Sequence, residues 1–390
     1  MDVSLAAARR ARWAVAAIFF ANGFVVGSWA AQIPLVKERL AIGHSTLGFA
    51  LLAMAAGALV AMPLGGAVIS RLGSAAVTRW SAVFCFATFP VAILAPSPLL
   101  LGCALFLFGA ANGVMDVAMN AHGVAVEHRL NKSVMSGFHG MFSLGGLVGA
   151  GLAALLLPVM APVLNAGLMA AVAMALAGAA FLYLLPGAAD SGGGGSAFAL
   201  PNRATLGLGL LTYLALTSEG AVLDWSGLHL RERLDVGTGM AAMGFAAFSA
   251  TMAGGRFAGD WLRGHVGAVA LVRASAFLSA LGLALALLAP MPVIAVAGFA
   301  VVGLGMSNLV PIFFGAAGRI PGQSAGTGIA AIATMGYAGF LSGPPLIGLV
   351  AEATNLTLAL GLIVIACVLV GIGAKAVAPA RSRPVPAAAG

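Results

Sequence analysis

The sequence predicts an all-α membrane protein, with about twelve transmembrane helices arranged as two pseudo-symmetric six-helix bundles. Three observations lead there. Of the 390 residues, 61% are hydrophobic and only 8% are charged, against roughly a quarter charged in soluble domains, so no water-soluble fold of this length could hide the apolar surface. Apolar runs of the roughly 20 residues needed to span a bilayer recur twelve times. Finally, a short charged string in the first half of the chain returns in the second.

The runs fall near 13–36, 44–70, 77–96, 98–122, 133–158, 162–186, 203–228, 238–259, 267–289, 292–317, 323–350 and 356–376. Between the sixth and the seventh lies a segment from Gly187 to Asn202 that contains Ser191-Gly-Gly-Gly-Gly-Ser196, a flexible linker by composition. The expected organisation is a bundle over 1–186, a cytoplasmic linker over 187–202, and a second bundle with a short cytoplasmic tail over 203–390. Arg9, Arg10 and Arg12 precede an apolar stretch too long for a signal peptide and followed by eleven others, so that stretch reads as a first span. Fifty-four glycines suit close backbone approach between helices in lipid.

Lys and Arg placement gives the orientation. With the amino terminus in the cytoplasm, fifteen basic residues from Arg9 to Arg383, Arg256 among them, fall at inner span ends, and four fall outside: Lys37, Arg39, Arg231 and Arg233. Both termini are therefore expected in the cytoplasm. The outer four also expose the repeat. Lys37-Glu-Arg-Leu-Ala-Ile-Gly43 follows the first span and Arg231-Glu-Arg-Leu-Asp-Val-Gly237 the seventh. Further on, Gly65-Gly66 and Ser70-Arg71 are expected to correspond to Gly254-Gly255 and Asp260-Trp261. Parallel repetition of six-helix halves is a transporter architecture.

Ionisable groups inside the hydrocarbon are the functional candidates, because each costs about 2.5–3.5 kcal/mol at a helix centre on insertion scales. Asn112, Asp116 and Asn120 recur every four residues in span four, on one helical face, which must look into a cavity or at another helix. Asp116 is the expected proton-carrying and substrate-binding carboxylate, since a carboxyl withdrawn from water can be held charged or protonated. His139 lies at similar depth in span five, where the two could share a proton. Glu219 in span seven is the third proton-coupling candidate, and Gly220 beside it could let the helix break. Asn22, Trp29, Gln32, Tyr213, Asn308 and Tyr337 complete the expected cavity lining, Trp29 as a stacking platform. Arg256 and Asp260 at the inner end of span eight, with Arg71 and Asp224, are gate candidates, and Ser70 is expected at the first-half position of Asp260. His44, His122, His128, His229 and His265 sit at span ends, where a solvated histidine is expected. Cys85, Cys103 and Cys367 show no ligand spacing. With no hydrolytic motif and no clustered basic face, neither an enzyme, a metal or other cofactor, nor a nucleic-acid partner is expected.

These strings carry a resemblance. Gly255-Arg-Phe-Ala-Gly-Asp260 resembles the cytoplasmic gate motif of the major facilitator superfamily, degraded in the first half. Asp116-Val-Ala-Met-Asn120 resembles the acidic-x-x-x-Asn signature of its fucose-permease-like branch. Glu219-Gly-Ala-Val-Leu-Asp-Trp225, Lys132-Ser-Val-Met-Ser-Gly-Phe-His-Gly-Met-Phe-Ser-Leu-Gly145 and Gly336-Tyr-Ala-Gly-Phe-Leu-Ser-Gly-Pro-Pro345 resemble YbjJ-type bacterial inner-membrane proteins within that branch. The sequence departs from the sugar permeases at Ala30, where they carry an acid, and at His139, where they carry an amide. The resemblance implies a monomeric secondary transporter of the bacterial inner membrane. It would move a small polar solute, a sugar or related metabolite, by alternating access with proton coupling, commonly symport. A proton-driven exporter of drugs or metabolites in the same fold is the alternative.

Overall fold

A computed structural model describes residues 5–132, 134–186, 202–203, 205–320 and 325–378, without the side chains of Asp260, Ala325 and Gly326. All regular structure among them is helical, as lipid demands, because a helix satisfies its own backbone donors and acceptors where no water can. The first half contains α1 (Leu5–Arg39), α2 (His44–Leu72), α3 (Ser74–Leu94), α4 (Pro98–Leu130), α5 (Met135–Leu156) and α6 (Pro162–Phe181). The second contains α7 (Leu206–Leu234), α8 (Thr238–Val266), α9 (Ala268–Leu288), α10 (Pro292–Met306), α11 (Leu309–Ala317), α12 (Ala325–Ala353) and α13 (Leu356–Gly373), which ends in a 3₁₀ turn, Ala374–Val377. Among the described residues, ten rods, counting α10 with α11 as one, are long and apolar enough to cross a membrane. The 29-residue α8 and α12, richer in Gly, Ser and Thr, raise the number of membrane-length rods to twelve. The expected linker lies outside the described residues apart from Asn202.

Local chemistry sets the helix ends. Pro98, Pro162 and Pro292 start their helices, where a missing N–H costs nothing. Ser97 and Asn355 accept from the N–H groups of Leu100 and Leu358, and the Glu127 carboxylate, reaching across from α4, accepts from Val134 and Met135 at 2.7 and 3.0 Å to cap α5.

The repeat extends well beyond the charged string. The halves match at a constant offset of 194 residues: Ala41 and Asp235 are both left-handed (φ 49° and 48°), and so are Gly73 and Gly267 (φ 80° and 82°). Pro98 and Pro292 start corresponding helices, and α3 and α9 have 21 residues each. This register corrects the expected one. Gly66, not Ser70, corresponds to Asp260, and Met62 to Arg256, because equal helices joined by one positive-φ glycine leave no room for the five-residue shift that matching glycine pairs suggested.

Other expectations also change. α4 runs on to Leu130 and α8 to Val266, beyond the predicted ends at 122 and 259, because helix continues past the apolar stretch. Arg256 consequently lies ten residues inside α8 and not at its end. Span ten is two helices, interrupted at Ser307–Asn308. Pro311 has no N–H for the Ser307 carbonyl and its ring crowds that group, which breaks the helix there. His122 and His229, expected to be solvated, are each only 1% exposed. His122 bonds Ser74 Oγ through Nδ1 at 2.6 Å and accepts the Leu185 N–H at Nε2, 3.0 Å; the ring of His229 lies edge-on to Phe299, with centroids 6.4 Å apart.

Small residues draw the rods together. A methyl group on Gly23 or Gly27 of α1 would strike the α5 backbone at Phe142 or Gly146, and one on Gly145 or Gly149 would strike α1 at Phe20 or Phe24. Between the halves, the broad contacts are α5 on α8 and α2 on α12, with α1 also touching α7 and α8. On the α2–α12 contact, His44 and Gly48 meet Pro344 and Gly348 at backbone distance, near the end at which α1 and α7 terminate.

Candidate functional site

At that end the halves are tied by charge. Lys37 of α1 meets Glu232 of α7 at 2.9 Å, and His44 Nε2 of α2 meets the other Glu232 oxygen at 2.8 Å. Arg231 forks onto Glu38, with Nη2 to Oε2 at 2.8 Å. Glu352, at the end of α12, accepts the N–H groups of His44 and Ser45 at 2.7 and 3.3 Å, which caps α2 and stitches α12 to it. Exposed pairs are individually worth about 0–1 kcal/mol; here several converge on one seam.

Deeper between the halves lie the chemical groups. Asp116 of α4 is half-buried. Its carboxylate accepts from Asn120 Nδ2 at 3.1 Å, and the same amide also bonds the Asp116 carbonyl at 2.8 Å. No cation pairs with Asp116 among the described residues. Tyr337 of α12, in the other half, lies within electrostatic reach of it. Asn112, one turn away, accepts a weak bond from the Cys85 thiol at 3.8 Å and so leans toward α3. The expected carboxylate–imidazole bond is absent. The ring of His139 stands edge-on to Phe19 of α1, with centroids 5.3 Å apart, and Arg256 of α8 is close enough to act on it electrostatically. His139 is nevertheless exposed, and flanked by α1 and α8 it opens onto the space between the halves.

Arg256 is the hub of the second half. Its Nη2 meets Glu219 Oε1 of α7 at 3.2 Å, and its Nη1 donates to Ser143 Oγ of α5 at 2.7 Å. Ser143 in turn donates to the His139 carbonyl at 3.3 Å. One guanidinium therefore joins α7 and α8 to α5 of the opposite half. Gly140 of α5 faces the Phe257 ring, so a larger residue at 140 would push this crossing apart.

Other expected lining residues are committed to packing in this conformation. Trp29 and Gln32 are fully buried, and Gln32 donates to Asn165 of α6 at 3.2 Å. Asn22 is buried, with Nδ2 4.0 Å from Met119 Sδ and Oδ1 without a partner. Asn308 donates to the Gly255 carbonyl at 3.2 Å and to Ser307 Oγ at 2.9 Å, pinning the break of span ten onto α8. The Tyr213 hydroxyl donates to Ser342 Oγ at 2.7 Å, since the Ser342 proton goes to the Ala338 carbonyl. Asp224 is 8% exposed, beside fully buried Trp225. Gly220 does not break its helix, for α7 is continuous and Gly220 instead admits the Phe340 ring. Arg71 is exposed at the end of α2, and the side chain of Asp260 lies outside the described residues. Sequence reasoning missed Ser143, His44 and Glu352. Only the pairing of Glu219 with Arg256 left a signal, as the two opposite charges lying within apolar spans of the same half.

Among the described residues no three His, Cys, Asp or Glu side chains gather as a metal site would require. Similarity to known proteins is extensive. Residues 13–344 match the Major Facilitator Superfamily model. An uncharacterized transporter of the major facilitator type from Yersinia pestis is 36% identical over 92% of this chain and 94% of its own. The membrane protein MosC of Rhizobium meliloti is 35% identical over 92% of this chain and 88% of its own. Among solved structures, a point mutant of the nucleoside transporter NupG superposes with a TM-score of 0.75 at 15% identity, covering 94% of this chain and 99% of that one. A point mutant of the fucose:proton symporter FucP of E. coli gives 0.63 at 16% identity, over 95% and 98%. The chain belongs to the Major Facilitator Superfamily and is a multi-pass membrane protein, a secondary transporter of a small molecule rather than an enzyme.

Proposed function

We propose that the protein carries a small polar solute, a sugar or related metabolite, across the bacterial inner membrane by alternating access, and that Asp116 couples this movement to protons. The observation that carries the reading is a half-buried carboxylate with an amide but no cation for a partner, placed between two halves that ion pairs hold together at one end. Neutral-solute transporters among the structural neighbours, for nucleosides and fucose, support the solute class. With the amino terminus in the cytoplasm, as the basic residues favour, the tied end is the outer one and the structure is the outward-closed state. A protonated Asp116 lets the loaded cavity cross without net charge from that group. A charge moved through 100 mV is worth about 2.3 kcal/mol, enough to concentrate a neutral solute roughly fiftyfold. The test uses proteoliposomes and a panel of labelled neutral sugars and nucleosides. Asp116→Asn should abolish accumulation driven by a proton gradient while leaving counterflow exchange; accumulation that persists at wild-type level would remove Asp116 from the coupling.

A further inference from the structure

We infer that Glu219 is the charge filter of the cavity: by occupying Arg256, it restricts the cargo to solutes without net negative charge. The inference rests on the reading of the space between the halves as the binding site. Arg256 is the cation whose bonds cross this space, to Ser143 of the opposite half; Lys37 and Arg231 are engaged at the tied end, and Arg71 is exposed at the end of α2. A lone arginine among polar groups is the usual docking point for a carboxylate, because its planar fork matches that group. Here the place is taken. Glu219 holds Nη2 at 3.2 Å, and Ser143, a neutral hydroxyl, holds Nη1 at 2.7 Å. The positive charge is thus cancelled within its own half, while Asp116 stands uncompensated in the other. His139 contributes no more than a titratable imidazole, already beside a guanidinium.

The resulting balance is neutral when Asp116 is protonated and negative when it is not. A neutral solute fits the first state and an amine the second; an anion fits neither unless Glu219 lets go. Three of the five N–H groups of Arg256 have no partner among the described residues, so removing the Glu219 charge exposes a guanidinium ready for a carboxylate.

The experiment uses one ring in three charge states, glucuronate, glucose and glucosamine, and follows thermal stabilisation of the purified full chain. Wild-type protein should gain less from glucuronate than from either of the others. Glu219→Gln should bind glucuronate about tenfold more tightly than wild type does, the factor expected from one hydrogen bond between charged partners. Glu219→Gln/Arg256→Gln should lose that gain, which separates a freed arginine from general loosening. Glu219→Ser serves in place of the glutamine where the latter does not fold. Glucuronate stabilising the wild type as strongly as glucose would overturn the filter, as would a Glu219 variant no more responsive than wild type. Either result leaves the Asp116 assignment standing if Asp116→Asn still abolishes accumulation, and the converse pair of results separates them the other way.

Discussion

Single side chains in this protein are worth what their surroundings make them. His122 illustrates this best. By sequence it sits at a span end among polar residues and reads as solvated; in the structure it is buried and holds three segments, bonding Ser74 at the start of α3 and the Leu185 N–H beyond α6 from its own place on α4. Replacing it with alanine orphans a buried backbone donor and leaves a void, so His122→Ala should cost about 1–3 kcal/mol, read as a lowered thermal midpoint in detergent. His122→Asn, which can still accept the Leu185 N–H, should recover part of the loss. The stripe of Asn112, Asp116 and Asn120 was legible because period-four polarity within an apolar helix has no other cheap explanation. The partners of those residues were not, because a sequence shows which helical face a residue occupies but not which helix stands opposite. Thus Asp116 and His139, matched in depth, do not bond, while Glu219 and Arg256, expected in separate proton and gate roles, form one pair.

Helices add a second layer, in which termini hold the conformational chemistry. Four elements, α1, α2, α7 and α12, place their ends at one seam, and Lys37, Glu38, Arg231, Glu232, His44 and Glu352 join there across the halves. Each pair is weak on its own, which suits a latch that must also open. Neutralising both carboxylates, as Glu38→Gln/Glu232→Gln, should remove roughly 1 kcal/mol and shift the balance of closed and open states about fivefold toward open. Spin labels at Arg39 and Arg233, exposed residues outside these pairs, would report it as growth of a longer distance between them. The latch was invisible in the sequence apart from its repeat, since neighbours nearly two hundred positions apart leave no local pattern. Most of the helix count, by contrast, was legible from apolar run length, the less apolar α8 and α12 being the exceptions. Helix ends and the break at Ser307–Asn308 were not, because hydropathy marks where lipid ends rather than where hydrogen bonding does.

At the level of the whole molecule, two halves that share one register are pressed together along α5–α8 and α2–α12. We propose that the segment 187–202 serves only as a tether between them. Separate expression of 1–186 and 203–390 in one cell should then give halves that co-purify with a single tag and restore a substantial share of the intact carrier's activity. Halves that fail to associate would show that the tether is needed for assembly. The composition of 187–202 led to the expectation of a six-plus-six division, whereas the gap-free register of the two halves needed the matched backbone angles at Ala41 and Asp235 and at Gly73 and Gly267.

Moving along the chain by the same 194 positions takes Asp116 to Val310, Glu219 back to Val25 and Arg256 back to Met62; each of these three charges between the halves has an apolar residue at the matching place in the other bundle. Two identical bundles about a central axis would let a cargo sit equally well in either of two poses related by half a turn. With acid on one wall and a zwitterionic pair on the other, that degeneracy is lifted, and a solute with a distinguishable head and tail has a single way to lie.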